Sequence, residues 1–161
     1  VPVVCAGGVG SAARFAEALH IGYAGVQCGT RFIATEECNS SDAYKQAILD
    51  AQEDDIVLSE RVTGIPLAVI NTPYVQRTGT KASALGRWLL RHKRTKHWMR
   101  AFYSLRSFFQ LKRASIDASG TRDYWQAGKS AGEVHEIVPA GDIVREFAAA
   151  ARAALGPSGG N

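Results

Sequence analysis

Apolar residues near the start of the chain come in short blocks that stop at glycine. Val3-Val4-Cys5-Ala6 stops at Gly7-Gly8, and Gly25-Val26-Gln27-Cys28 stops at Gly29-Thr30. Between the blocks, Ala12, Phe15, Ala16 and Leu19 recur at the three- and four-residue spacing of one helix face, which ends near Gly22. After Thr30 the helical spacing returns through Phe32 and Ile33. The pattern predicts strand, helix, strand, helix over residues 1–40. A helical crossover joins parallel strands and brings both strand exits to the same edge of the sheet. At that edge α/β proteins bind their ligands.

Farther along, Ser40-Ser41-Asp42 is an N-cap cluster, and a helix is expected from Ala43 to Gln52, ended by Asp54-Asp55. Ile56-Val57-Leu58 and the stretch Leu67 to Thr72 read as extended pieces, the second closed by Pro73. From Lys81 to Arg113 the pattern is helical and basic: Leu85, Trp88, Leu89, Trp98, Phe102, Leu105 and Phe109 keep helical spacing. The run Arg91-His92-Lys93-Arg94-Thr95-Lys96-His97 interrupts the apolar face, which argues for two helices rather than one. Asp117 to Gly132 is glycine-punctuated and loop-like. Pro139-Ala140-Gly141-Asp142 then caps a terminal helix from Ile143 to Leu155, and 156–161 is expected to be a disordered tail. The expected division is therefore two strand–helix units over 1–40 and a mainly helical extension over 41–155.

The glycines at the two strand exits suggest chemistry. Without a Cβ the backbone turns with φ above zero and comes close to a ligand. Gly7, Gly8, Gly29 and Thr30 aim N–H groups at one point, and the helix starting at Thr30 adds its positive end and a hydroxyl. Such a cluster suits a phosphate. A TIM barrel places its phosphate site after its last two strands. Glycine after a strand is also an ordinary turn residue, so the reading rests on the two bends together. Gly8-Val9-Gly10-Ser11-Ala12-Ala13 fits a dinucleotide fingerprint as well, but the second strand then needs an acidic end where Gln27-Cys28-Gly29-Thr30 stands. Arg31 could serve a 2′-phosphate in that scheme; the Gly29-Thr30 bend would have no explanation.

The stretch PVVCAGGVGSAARFAEALHIGYAGVQCGTRFIATEE resembles the last two strand–helix units of the nitronate monooxygenase family, also called 2-nitropropane dioxygenases. Ala43 to Leu49, Asp123 to Val144 and the terminal helix resemble that family's C-terminal region, so the likeness covers most of the chain. Its most specific piece is Gly-Val-Gln-x-Gly-Thr-Arg-Phe. The resemblance implies an FMN-dependent TIM barrel. FMN phosphate contacts would come from Gly7, Gly8, Gln27, Cys28, Gly29 and Thr30. It also implies oxidation of alkyl nitronates with dioxygen to a carbonyl compound and nitrite. The family's catalytic histidine lies in an upstream loop, and none of His20, His92, His97 or His135 stands in a matching motif, so no catalytic residue is assigned within this chain. Tyr124 and Lys129, in the loop around Gly128, are the candidates for contacting an anionic substrate or its developing oxyanion. For this loop the residues alone leave a packing role open.

Length sharpens the picture. A complete barrel needs roughly 250 residues, whereas the chain has 161, begins at Val1 rather than Met, and offers two convincing barrel strands. It is expected to be the C-terminal part of a (β/α)8 barrel enzyme, inactive in isolation. No apolar run approaches the roughly 18 residues of a membrane span. Cys5, Cys28 and Cys38 lack metal-ligand spacing and cannot all pair, and Cys5 and Cys28 fall in strands expected to be buried. A reducing, cytoplasmic setting with no metal follows as the expectation. The net charge of +4 hides a split: Arg61 to Ile116 holds twelve Lys or Arg and no acid, leaving seven basic residues against all fifteen acidic ones elsewhere.

Two alternatives stand beside the nitronate reading. A flavin-dependent enoyl-ACP reductase would share the barrel and the glycine motif, and its acidic carrier would suit the basic helices. A non-enzymatic binding module could use the basic, aromatic-rich stretch on nucleic acid. The helical period of the aromatics disfavours that idea, since it makes them a buried face. The basic face could instead meet acidic surface of the same chain or of a second subunit in a homo-oligomer.

Overall fold

A computed structural model describes residues 1–61, 66–81, 105 and 124–156. The chain is α/β and divides into two compact units. The first comprises Val1–Asn39, Lys45–Glu53 and Gly128–Asn161; the second comprises Ser40–Tyr44 and Asp54–Ala127.

In the first unit, strand β1 (Val4–Ala6) and strand β2 (Gly25–Gln27) pair in parallel, with Val4 opposite Gly25 and Ala6 opposite Gln27. The crossover between them is helix α1 (Ala12–Ile21). Ser11 caps its start by accepting from the Arg14 N–H, and Gly22 ends it in the left-handed conformation, at the position where the apolar spacing ran out. Helix α2 (Thr30–Ile33) is a single turn after β2.

Helix α3 (Asp42–Asp50) follows, and a terminal helix α5 (Ala140–Leu155) closes the chain. Phe15 of α1 stacks on Phe147 of α5 with centroids 5.3 Å apart. Helix α5 begins at Ala140, earlier than the expected Ile143. Its first N–H is held by both carboxylate oxygens of Glu37, at 2.9 and 3.0 Å, and not by Asp142. A carboxylate at a helix start is favoured by the helix dipole, and here it comes from a residue far away in sequence.

The second unit is built on an antiparallel pair, β3 (Ile56–Ser59) and β4 (Leu67–Ile70). Pro73 does not close the stretch. Thr72 caps and Pro73 opens a short helix, α4 (Pro73–Thr78), because proline suits the first helical position, where no N–H is needed. Val69, Val75 and Tyr124 form the buried cluster, with Val57, Leu67 and Tyr74 packed against it. Trp125 stacks on Tyr44, whose hydroxyl donates to the Gln126 carbonyl.

The strands expected to be buried are not. Val3 and Val4 are more than half exposed, and Cys5 and Cys28 are half-buried. Among the described residues no third strand pairs with β1 or β2, so their faces lack the cover a full sheet supplies. No disulfide joins Cys5, Cys28 or Cys38. No helix among the described residues is long and apolar enough to cross a membrane. The basic helices expected between Lys81 and Arg113 and the tail after Gly156 lie outside the described residues, Lys81 and Leu105 apart.

Candidate functional site

The register of β1 and β2 brings the two glycine bends side by side. With Ala6 opposite Gln27, both strands end at the same edge, about 4.8 Å apart. The first bend turns through Gly7 (φ +90°) and Gly8 (φ +74°), conformations that side-chain-bearing residues rarely adopt. The Gly7 N–H donates to the Gln27 carbonyl at a long 3.4 Å, so one amide of this bend is partly engaged within the sheet. Gly8 is exposed and faces a cleft of about 330 Å3, lined also by Arg14, Gln52, Glu53, Lys129, Gly132 and Glu133.

The second bend is built differently. Gly29 precedes α2 with φ −118° and ψ −63°, a backbone any residue can adopt, and its carbonyl accepts from the N–H of Phe32 and Ile33. The Thr30 side chain is buried, and its Oγ1 accepts the Gly128 N–H at 2.9 Å. A hydroxyl that accepts in this way still carries its own proton to donate. A Cβ at Gly7, Gly8 or Gly29 would meet no atom of the described residues within 4 Å. The bends thus leave open space on their outer side, which is what an anion held by backbone N–H groups requires.

Cys28 directly follows β2. Its thiol is pushed above the ordinary range, first by burial and then by the nearby Cys5 and Glu133. At neutral pH it is a protonated, weakly polar group and not a nucleophile. Gln27 is exposed and holds the first bend through its carbonyl.

Of the two candidates for substrate contact, Lys129 lines the cleft, its ammonium 3.0 Å from Glu53 Oε1. Tyr124 is instead buried in the core of the second unit, edge-on to Tyr74 at 5.1 Å, its hydroxyl 3.2 Å from Thr78 Oγ1. Arg31, which the dinucleotide scheme would offer to a 2′-phosphate, is buried and donates to the Glu136 carbonyl at 3.0 Å. His20 and His135 are exposed; His92 and His97 lie outside the described residues. Among the described residues no His, Cys, Asp and Glu cluster could hold a metal ion.

Sequence reading overlooked Glu133, Arg14 and the structural weight of Gly10. Glu133 Oε2 accepts the Gly10 N–H at 2.9 Å and its Oε1 accepts from Arg14 Nε at 2.9 Å. Arg14 also pairs with Glu17, and these two carboxylates, Glu17 first, raise its already high pKa. A Cβ on Gly10 would sit 2.5 Å from the Ser130 carbonyl oxygen. Nothing in the local sequence joins residue 10 to residue 133.

Known proteins resemble this chain in sequence and in fold. A chain from Mycobacterium tuberculosis, "(3aS,4S,5R,7aS)-5-hydroxy-7a-methyl-1-oxo-octahydro-1H-indene-4-carboxyl-CoA dehydrogenase", is 38% identical over 86 residues, covering 53% of this chain and 24% of its own length. A "probable nitronate monooxygenase" from Staphylococcus saprophyticus is 34% identical over 77 residues, covering 48% of this chain and 22% of its own. The matched part of the chain thus covers about a quarter of the length of these relatives. Among solved structures, FabK from Thermotoga maritima superposes with a TM-score of 0.71 at 27% identity, over 96% of this chain and 45% of FabK. The family model described as nitronate monooxygenase matches residues 1–149, and the chain belongs to that family.

Proposed function

We propose that this chain is the C-terminal part of a TIM-barrel, FMN-dependent oxidoreductase that oxidises alkyl nitronates with dioxygen to a carbonyl compound and nitrite. The observation that carries the reading is the parallel register placing two open glycine bends at one sheet edge, in a chain of the nitronate monooxygenase family. The residues fit the phosphate end of a flavin. Gly8, Gly29 and Thr30 supply N–H groups around open space, Thr30 a hydroxyl proton, and Gln27 and Cys28 lead into the second bend. Gly7 shapes the first bend more than it donates, since its N–H already leans on Gln27.

When bound, a flavin supplies the electron transfer; this chain's residues hold its phosphate and fix its depth at the sheet edge. Lys129 stands ready to leave Glu53 for an anion, because a solvent-exposed pair of this kind is held by no more than about 1 kcal/mol. No general base is assigned here. A cytoplasmic enzyme with small-molecule partners, self-associating through the basic stretch, completes the reading.

A second reading keeps the flavin and changes the substrate to an acyl thioester. It is favoured by the relative whose name specifies a carboxyl-CoA compound, the more similar of the two relatives described above. One experiment separates the two. The full-length protein is purified, its bound flavin identified, and nitrite release from a nitronate compared with NADH oxidation in the presence of an enoyl thioester. Nitrite formation without thioester-dependent NADH oxidation supports the first reading, the reverse result the second. A colourless protein that takes up no FMN sinks both.

A further inference from the structure

The turn running from Gly128 into the 310 segment Lys129–Glu133 touches both bends. Its first N–H, on Gly128, is held by Thr30 Oγ1 of the second bend at 2.9 Å. Its last residue, Glu133, holds the loop just after the first bend, taking the Gly10 N–H on one oxygen and Arg14 Nε on the other, both at 2.9 Å. Between these ends the Ser130 carbonyl presses on Gly10 so closely that no side chain fits there. Glu133 also lies close enough to Cys28, at the approach to the second bend, for its charge to be felt by the thiol. Nearly a hundred residues or more separate this turn from either bend in sequence.

We propose that Glu133 is a positioning residue for the phosphate end of the flavin, acting as the far end of a clamp, Gly128 to Glu133, that sets the two glycine bends in mutual register. This rests on the flavin reading above. A carboxylate beside a phosphate site is at first sight the wrong charge. Arg14 neutralises it, and what remains is a charged acceptor, which holds a backbone N–H more firmly than a neutral one does. Geometry and charge therefore pull in opposite directions, and variants can separate them. Removing the carboxylate releases the bend, which weakens phosphate binding; it also frees the Arg14 cation from one of its two carboxylates, leaving Glu17, and that change on its own would strengthen it. Arg14 is more than half exposed, so the freed charge is screened and the loss of geometry dominates.

The test uses the full-length protein stripped of flavin, with affinities for FMN and for riboflavin, which lacks the phosphate, read by flavin fluorescence. Glu133→Ala should weaken FMN about ten-fold, the scale of one charged hydrogen bond, and change riboflavin affinity by less than about two-fold. Glu133→Gln keeps an oxygen for the Gly10 N–H and should restore most of the loss. If both variants bind FMN more tightly, Glu133 acts by charge and the clamp is wrong. If Glu133→Ala weakens FMN and riboflavin alike, its role is general folding and the proposal also falls. Amide exchange of the flavin-free protein gives a second readout, independent of any cofactor. The Gly10 N–H should exchange about ten-fold faster in Glu133→Ala than in wild type, and unchanged protection overturns the clamp. A wild type that binds neither flavin, with Gly10 protection still lost in the variant, would sink the flavin reading and the flavin role of Glu133 while leaving the clamp geometry upheld.

Discussion

The two glycine bends sit next to each other and are built on opposite principles. The first is made of backbone that only glycine adopts readily, at Gly7 and Gly8, and is steadied from outside by Glu133. The second uses an ordinary backbone at Gly29, and its own buried Thr30 reaches out to hold the Gly128 turn. One bend is held by the clamp and the other holds it. Glycine therefore means different things at the two sites: conformational freedom at Gly7 and Gly8, bare access at Gly29, and close packing at Gly10.

Substitutions can break that comparison apart. The largest effect on function is expected at the bend with the least backbone strain. Gly29→Val adds bulk where the space is open, so the protein should lose no more than about 1 kcal/mol of stability, the scale of an N-cap change. The branched side chain should nevertheless abolish flavin retention in the full-length enzyme; a purified variant with normal yellow colour and an unchanged unfolding midpoint would remove Gly29 from the site.

Next in size is Gly10→Ala. Its Cβ would meet a backbone oxygen, and overpacking of this kind costs about 2 kcal/mol, read as a shift in the urea midpoint. Gly8→Ala has free space but the wrong φ, and should cost about 1 kcal/mol from left-handed strain alone. If Gly8→Ala proves costlier than Gly10→Ala, the assignment of freedom to one glycine and packing to the other is inverted.

The smallest effect concerns pH. The Cys28 thiol is raised by burial first, so the folded state favours the protonated form. Between the ordinary and the raised pKa the unfolded chain binds fewer protons than the folded one. Its contribution to stability is thus present below the ordinary thiol pKa and lost as pH rises through the raised value. Alkylation of Cys28 by iodoacetamide, followed by peptide mass spectrometry, should show a titration midpoint above that of the same peptide unfolded. A lower midpoint would mean that the environment between the bends is electropositive and not apolar.

The strand–helix–strand–helix start was legible because its signals are local: Ala12, Phe15, Ala16 and Leu19 trace one face of α1, Gly22 ends it, and glycine closes each apolar block. The positions of the bends followed from parallel pairing, which sequence periodicity also implies. Helix α4 was missed although Thr72-Pro73 carries a start signal, because a proline after an extended run reads equally well as a stop. Glu133 and Glu37 could not have been found, since each acts on backbone N–H groups over a hundred residues away, and hydrogen bonds to backbone leave no complementary residue to search for. Tyr124 lay in a loop that reads as mobile; only the structure shows the aromatic partner, Tyr74, that fixes it.

The first unit is discontinuous, opening with Val1–Asn39 and finishing with the segment that starts at Gly128. A ribosome making this chain therefore releases α1 and both bends long before Phe147, Glu37's helix start or the Glu133 carboxylate exist to receive them. Until synthesis reaches Glu133 and Phe147, the first bend and α1 lack their later partners, and unfinished surfaces of this kind are an aggregation hazard that chaperones attend to. A premature stop before Gly128 would accordingly yield no smaller working version of this unit, because it would remove the segment that α1 and the two bends pack against.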